Sequence, residues 1–296
     1  MDRRVELLSG GKGVLAENGP MRMTIQARRH GQPHNDLAMA AARFAFACLE
    51  QVATYRDHLM RRDPQILFYL KEKKAAVPVT MVQSVLALDE PDLTPMAAVA
   101  GSMADAVADW LFQRGMTRVI VDNGGDIAIR LSGFETARVG IRTDLRSPLI
   151  THVMTLDARR SSWGVNTSGL GGRSLTRGIA SAVTVLANTS SLADAAATAL
   201  ANACFSEHEE ILQVPARFLD TCTDIPDIPV TVRVGPLNPD IYLDARSRAL
   251  TRAEYYVEQG VMQGALIAAG EKEVWTRNFS ERVAALNRIW EGEHCN

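Results

Sequence analysis

The stretch NTSGLGGRSLTRGIASAVTVLANTSSLADAAATALANA, residues 166 to 203, constrains the fold more than any other part of the chain. Four glycines fall within ten positions, an apolar strand follows, and then a helix made almost wholly of alanine surrounds one aspartate. Side chains this small leave little or no Cβ bulk to hold off a neighbouring backbone or a ligand. The alanines therefore predict a helix packed closely against a sheet. The glycines predict a connection that something approaches at short range.

Elsewhere the pattern is mixed. Residues 12 to 28 read as two short strands meeting at Asn18-Gly19, a dipeptide suited to the positive φ of a tight hairpin turn. Asn35 or Asp36 opens a helix running to about Arg62, with Leu37, Ala41, Phe44, Ala45, Cys48, Leu49 and Val52 at helical period and Pro64 as the stop. Between 75 and 96 the prolines suggest a loop-rich connection around a strand-like VTMVQSVLAL. A helix follows from Thr94 as cap, with Pro95 at its first position and Gly115 at its end. Strands are expected near 117–122, 127–131, 137–142, 152–157, 161–166 and 180–187, then the alanine helix from Ser191 to about Phe205. The tail adds a strand near 229–234, a helix opened by the capping box Thr251-Arg-Ala-Glu254, a hairpin around Gly270 and a last helix. Strands in consecutive groups with helices inserted between them argue for an α+β layered fold, a mixed or antiparallel sheet with helices around a central ligand cleft. We expect a single domain over 1–296, with 207–228 as a lid or insertion.

Charge removes several partner classes. Lys plus Arg total 32 against Asp plus Glu 34, which gives no basic footprint for nucleic acid or anionic lipid, so a small-molecule ligand is the expected partner. Cys48, Cys204, Cys222 and Cys295 form no CxxC pair, which argues against zinc and for free thiols in the cytoplasm. The amino terminus lacks the apolar run of a secretory signal, and no later segment reads as a membrane span. A homodimer is the default assembly.

Two glycine sites can carry chemistry. In VIVDNGGDIAIRL, residues 119–131, apolar runs flank Asn123, Gly124, Gly125 and Asp126. A hairpin turn is one reading. The other is that bare glycines let a flat or phosphorylated ligand touch backbone amides while Asp126 binds its polar groups. In the second site Ser168, Gly169, Gly171 and Gly172 could form a nest of amide N–H groups for phosphate, with Arg173 as a planar charged partner, or simply a connection. Beyond it, Asp194 and Thr198 are four apart on a helix and face one way, a carboxylate and a hydroxyl suited to a hard cation. Ser191-x-x-Asp194 equally reads as a capping box. The single histidines His30, His34, His58 and His152 have no sequence-visible partner, and Trp110 and Trp163 read as core or pocket wall.

VIVDNGGDI, VGIRTDLRSPLITHVMTL, WGVNTSG and SAVTVLANTSSLADAAATAL follow one another in the order, and at nearly the spacing, of the ApbE-like superfamily of FAD:protein FMN transferases. VAGSMADAVADWLFQRGMTRVIVDNGGD also resembles that family's Lys-Gly-x-x-x-Asp helix leading into its Gly-Gly-Asp strand. The resemblance covers about residues 13 to 275 and is strongest to the smaller cytoplasmic branch of the superfamily. It implies an α+β fold enclosing a flavin-nucleotide-sized cleft. It also implies Mg2+ at Asp194 and Thr198, an FAD site lined by Gly124, Gly125 and Asp126, and a pyrophosphate bordered by Thr167, Ser168 and Gly169. The implied chemistry is phosphoryl transfer, in which a cation spreads charge over the pyrophosphate, a protein threonine attacks the FMN phosphorus and AMP leaves.

The departures are specific. Where the transferases carry His-x-x-Asp-Pro-x-Thr-Gly, this chain has RSLTRGIASAV, without the histidine or the Asp-Pro. The family's lysine is Ala100 here, although Gly101 and Asp105 match. Three functions stay open: a Mg-dependent flavin transferase, a hydrolase or isomerase acting on a small anionic metabolite, and a non-catalytic flavin or nucleotide binder. Arg173, Arg177, Asp126 and Asp105 are the polar residues that an alternative chemistry would use.

Overall fold

The computed structural model describes residues 3–172 and 174–285. Its helices are α1 Asn35–Thr54, α2 Arg56–Leu59, α3 Ile66–Glu72, α4 Ala76–Leu86, α5 Val99–Phe112, α6 Ser190–Ala203 and α7 Pro239–Glu258. Its strands are β1 Arg4–Leu7, β2 Val14–Asn18, β3 Met21–Arg29, β4 Gln32–Pro33, β5 Arg118–Asn123, β6 Ile127–Leu131, β7 Thr136–Ile141, β8 His152–Asp157, β9 Ser162–Ser168, β10 Ala182–Ala187, β11 Ile211–Pro215, β12 Pro229–Val234, β13 Gly264–Ala269, β14 Lys272–Trp275 and β15 Val283–Ala285. The α+β class expected from the sequence is the class observed.

The chain forms two compact units interleaved along the sequence. The first comprises Met1–Thr136, Asp157–Asn166 and Ala187–Ala196; the second comprises Ala137–Leu156, Thr167–Leu186 and Ala197–Asn296.

In the first unit the strands run β1-β2-β3-β5-β6-β9, with antiparallel pairing throughout and β4 folded back on β3. Alternation sets the faces: Met21, Met23, Ile25 and Ala27 of β3 are buried while the residues between them are not. Helices α1 and α5 cover the buried face, and the core there includes Met23, Ile25, Ala41, Ala45, Met81, Met103, Val107 and Val121. On length and composition alone α1 could cross a membrane, which the sequence pattern had not suggested, yet Ala38, Ala41, Ala42, Ala45, Phe46, Cys48 and Val52 are buried in this core. The Asn18-Gly19 hairpin forms as expected, with Gly19 at φ +58°. Trp163 is fully buried, and Trp110 stacks on Phe44 with ring centroids 5.7 Å apart.

Residues 76–86 correct the strand-like reading. They form α4, because Val77, Met81, Val82 and Val85 fall on one helical face and Pro78 sits in the first turn, where no N–H is required.

The second unit contains the antiparallel set β10-β13-β14 under α7, the three-stranded sheet β15-β8-β7 and the ribbon β11-β12. The hairpin around Gly270 forms as expected. The segment 207–228 supplies β11, a strand not foreseen. Helix α7 begins earlier than the proposed capping box: Asn238 Oδ1 accepts from the Asp240 amide at 3.0 Å and Pro239 occupies the first position. Thr251 is interior to it, and its hydroxyl donates back to the Ser247 carbonyl at 2.9 Å. The expected last helix is not among the described residues.

Candidate functional site

The first turn of α6 rests against two glycines of the first unit. A Cβ at Gly101 would lie 2.4 Å from the Ser190 carbonyl oxygen, and one at Gly164 would lie 2.1 Å from that of Thr189. Only glycine permits this approach, so α5 and β9 together fix where α6 begins.

Two carboxylates then bridge the helices in opposite directions. Helix α5 has no side-chain cap of its own, so the amides of its first turn need acceptors. The Gly101 N–H donates to Asp194 Oδ2 at 2.9 Å. In return Asp105, one turn along α5, accepts from the Ser190 N–H at 3.0 Å and the Ser191 N–H at 2.8 Å. Asp194 therefore caps α5 and not its own helix, which replaces the Ser191-x-x-Asp194 capping box with a tertiary contact. The start of α6 is completed by Thr189 Oγ1, which accepts from the Leu192 N–H at 3.3 Å.

Asp105 is buried and so is its cation. Arg130 on β6 donates from Nη2 to Asp105 Oδ1 at 2.9 Å and from Nε to Asp109 Oδ1 at 2.6 Å. Burial pulls the Arg130 pKa down, but Asp105 and Asp109 more than offset this and the guanidinium stays charged.

Asn123–Asp126 is a hairpin turn, as one of the two readings held. The Asn123 N–H donates to the Asp126 carbonyl at 3.0 Å, and the Gly125 N–H donates to Asp122 Oδ1 at 2.7 Å. Gly124 and Gly125 take φ of +78° and +107°. The turn also aims polar groups at the helix pair. Asn123 Nδ2 donates to the Ala100 carbonyl at 3.2 Å, and Asp126 Oδ1 accepts from Asn166 Nδ2 at 2.9 Å. Asn166, fully buried, also accepts from Ser190 Oγ at 2.9 Å.

Asp194 thus sits among Asp126 and Asp105. Its residue surface is partly accessible, but protein surrounds the carboxyl. Burial pushes its pKa well above the ordinary carboxylate range; the negative charge of Asp126 adds to the shift, the Gly101 amide opposes it, and Asp105 adds again. The uncharged, protonated form of the carboxyl is accordingly favoured.

The second unit holds the other expected site residues. Thr167 Oγ1 and Thr184 Oγ1 are 2.9 Å apart, and Ser168 Oγ and Ser174 Oγ are 3.2 Å apart. Part of the proposed amide nest is used internally: Leu170 N–H donates to the Ala180 carbonyl at 2.9 Å and Gly172 N–H to that of Gly169 at 3.2 Å. Gly169 and Gly171 have φ of +145° and +87°, and a Cβ at Gly171 would meet Arg146 Cγ at 2.5 Å, so these glycines serve the loop's own folding. Arg173 lies outside the described residues. Thr198 is half-buried one turn beyond Asp194 on α6. Arg177 has its guanidinium 5.6 Å from the Phe205 ring centroid. Among the described residues no group of three or more His, Cys, Asp or Glu is arranged to hold a metal ion. His152, which the sequence left without a partner, contacts Thr151 Oγ1 at 2.9 Å through Nδ1 and Glu273 Oε1 at 3.1 Å through Nε2, with Trp275 edge-on.

Three comparisons bear on this arrangement. A family profile described as AbpE bacteria matches residues 5–276. A UPF0280 protein of Methanocella arvoryzae is 31% identical over 218 residues, covering 72% of this chain and 85% of its own. One from Methanosarcina acetivorans is 35% identical over 195 residues, covering 64% and 73%. The apo crystal structure of the Pseudomonas stutzeri flavinyl transferase ApbE is similar over 95% of this chain and 98% of its own, at TM-score 0.50 and 16% identity, which establishes a shared fold.

Proposed function

This chain belongs to the AbpE bacteria family, and we propose that it binds a flavin nucleotide, FAD in the first instance, together with Mg2+. The observation that carries the reading is the placement of the Asp194 carboxyl on the first turn of α6, held by the Gly101 amide at 2.9 Å and facing the negative charge of Asp126. Carboxylate and hydroxyl oxygens are the donors a hard cation takes, and such a cation would offset the mutual repulsion of Asp194 and Asp126. Asp194 would hold it, with the hydroxyl of Thr198 four residues on and with water or phosphate oxygens completing the shell. In such a site a divalent cation neutralises charge on a pyrophosphate.

The chain's own residues have separable parts. Asn123, Gly124, Gly125 and Asp126 form the ligand-facing turn, and Asn166 holds Asp126 in place. Thr167, Ser168, Gly169, Gly171 and Gly172 take the phosphate-bordering part, with Arg173 as its cation. Transfer of FMN to a protein hydroxyl is the finer proposal. RSLTRGIASAV lacks a histidine to act as general base, which favours a second reading: binding without transfer, or another reaction on a small anionic metabolite.

Isothermal titration with FAD, FMN and ADP, with and without Mg2+, on the native protein and on Asp194→Ala decides the matter. We expect Mg2+-dependent binding that the substitution abolishes. No binding under any condition refutes the flavin reading. AMP appearing on incubation with FAD, followed by chromatography, separates transfer chemistry from binding alone.

A further inference from the structure

Helices α5 and α6 cap one another, and the two caps differ in how they are held. Asp194 reaches the α5 amides from a partly accessible position. Asp105 reaches the α6 amides from a buried one and is itself gripped by Arg130, 3% exposed, which the half-exposed Asp109 anchors from the other side. This chain of contacts runs from the surface at Asp109 through Arg130 and Asp105 to the first turn of α6. It ends one helical turn from Asp194.

We infer that Asp105 and Arg130 are positioning residues: they fix the first turn of α6 so that Asp194 meets the Gly101 amide and presents its carboxyl beside Asp126. The geometry supports this over a role confined to helix stability. Asp105 bonds the amides of Ser190 and Ser191, the two residues that begin α6, and Asp194 lies on the same face as Ser190, four positions later. Gly101 and Asp105 are likewise four apart on α5, so a single face of one helix contacts a single face of the other. A Cβ added at Gly101 would lie 2.9 Å from the Asp194 Cβ, so the helices approach this closely only because residue 101 is glycine. Arg130 suits the bridging role because its planar guanidinium presents separate donors to two carboxylates, which an ammonium does not. The charged groups around the Asp194 carboxyl are then Asp126, Asp105 and, behind Asp105, Arg130 and Asp109.

The inference deepens the cation-and-flavin reading but is tested apart from it by amide hydrogen exchange on Asp105→Asn, with Arg130→Lys as the milder variant should Asp105→Asn fail to fold. A cap lost locally accelerates exchange at Ser190 and Ser191 only. Loss of positioning also releases Gly101, because Asp194 no longer accepts from it. We expect at least tenfold faster exchange at Gly101 in either variant, with the strand amide of Val121 keeping its native protection. Gly101 protected as in the native protein, while Ser190 and Ser191 exchange faster, overturns the inference. A second arm titrates FAD with Mg2+. Affinity falling tenfold or more in the variant extends positioning to the ligand, whereas no binding by the native protein refutes the flavin reading and leaves the exchange result to decide positioning.

Discussion

Gly101→Ala is the substitution whose outcome the geometry fixes most tightly. In an unconstrained helix interior, glycine to alanine stabilises by about 1 kcal/mol, because alanine loses less backbone entropy on folding. Here the new methyl would lie 2.4 Å from the Ser190 carbonyl oxygen, 2.6 Å from its carbon and 2.9 Å from the Asp194 Cβ. Two of the three obstacles are backbone, so α6 must retreat as a unit. Overpacking of this kind costs about 1–3 kcal/mol. Retreat also lengthens the 2.9 Å bond from the Gly101 amide to Asp194, whose carboxyl favours its uncharged form, and a hydrogen bond between uncharged groups is worth about 0.5–1.5 kcal/mol. The propensity gain of about 1 kcal/mol offsets part of this, which leaves a net loss of about 0.5–3.5 kcal/mol. At roughly 2–4 °C per kcal/mol, the scale for domains of about 150–250 residues, Tm falls by about 1–14 °C. Urea denaturation followed by circular dichroism, with scanning calorimetry beside it, measures both quantities. A variant as stable as the native protein, or more stable, would show that α5 and α6 do not approach as described, and the reciprocal capping would fall with it.

Two further outcomes follow from the charge states. Because the Asp194 carboxyl has a raised pKa in the fold, the folded chain keeps a proton that the unfolded chain has released. Its contribution to stability therefore declines as pH rises from the unfolded carboxyl range, about 3.9, through the raised folded value. Asp194→Asn, whose amide oxygen still accepts from Gly101, should be more stable than the native protein at neutral pH without divalent cations. That advantage should shrink on acidification; a variant less stable at pH 7 in a chelator-containing thermal melt would contradict the assignment. Burial raises the thiols of Cys48 and Cys204 to about 12, so neither should react with a thiol reagent at pH 8 in the native state, whereas the exposed Cys222 should react promptly. Mass mapping of labelled peptides checks this, and rapid modification of Cys48 without denaturant would refute the packing of α1.

Local chemistry made much of the fold readable. The Asn18-Gly19 turn, the Thr94-Pro95 start, where Thr94 Oγ1 accepts from the Met96 amide at 3.2 Å and opens a 3-10 turn Pro95–Ala98 just ahead of α5, and Gly115 at φ +82° are each decided within a few residues. The errors arose where composition misled about period. VTMVQSVLAL, residues 79–88, read as strand-like beside Pro78, although its apolar spacing was helical and Pro78 stood in the first turn of α4, where a helix accepts a proline. At 251–254 a capping-box pattern occurred inside a helix already begun at Asn238 and Pro239, because the pattern specifies only that a first turn could form there. The strand β11 escaped notice because Gln213 and Pro215 interrupt its apolar run, and it is specified by pairing with β12.

The candidate site divides along the same line. Asp126 and Asp194 stood out because an acid beside glycines, or alone in a field of alanines, has little local reason to be there. Gly101 and Asp105 could be marked only by their match to a family pattern, and nothing near them in sequence says what they touch. Asp105 bonds amides 85 and 86 residues away, and Gly101 bonds a carboxylate 93 residues away. Arg130 and Asn166 gave no signal at all, since one arginine at the end of an apolar strand and one asparagine in a polar stretch are ordinary. Their importance comes from burial: a guanidinium 3% exposed and an amide fully enclosed must be satisfied by partners, and tracing those partners leads to the first turn of α6 from both sides. The Asp194 carboxyl is kept reluctant to ionise first by burial and then by Asp126 and Asp105, yet glycine-licensed contact and a buried ion pair hold it in place. An acid fixed so firmly at a position that disfavours its charge is the physical reason to look for the ligand at Asp194.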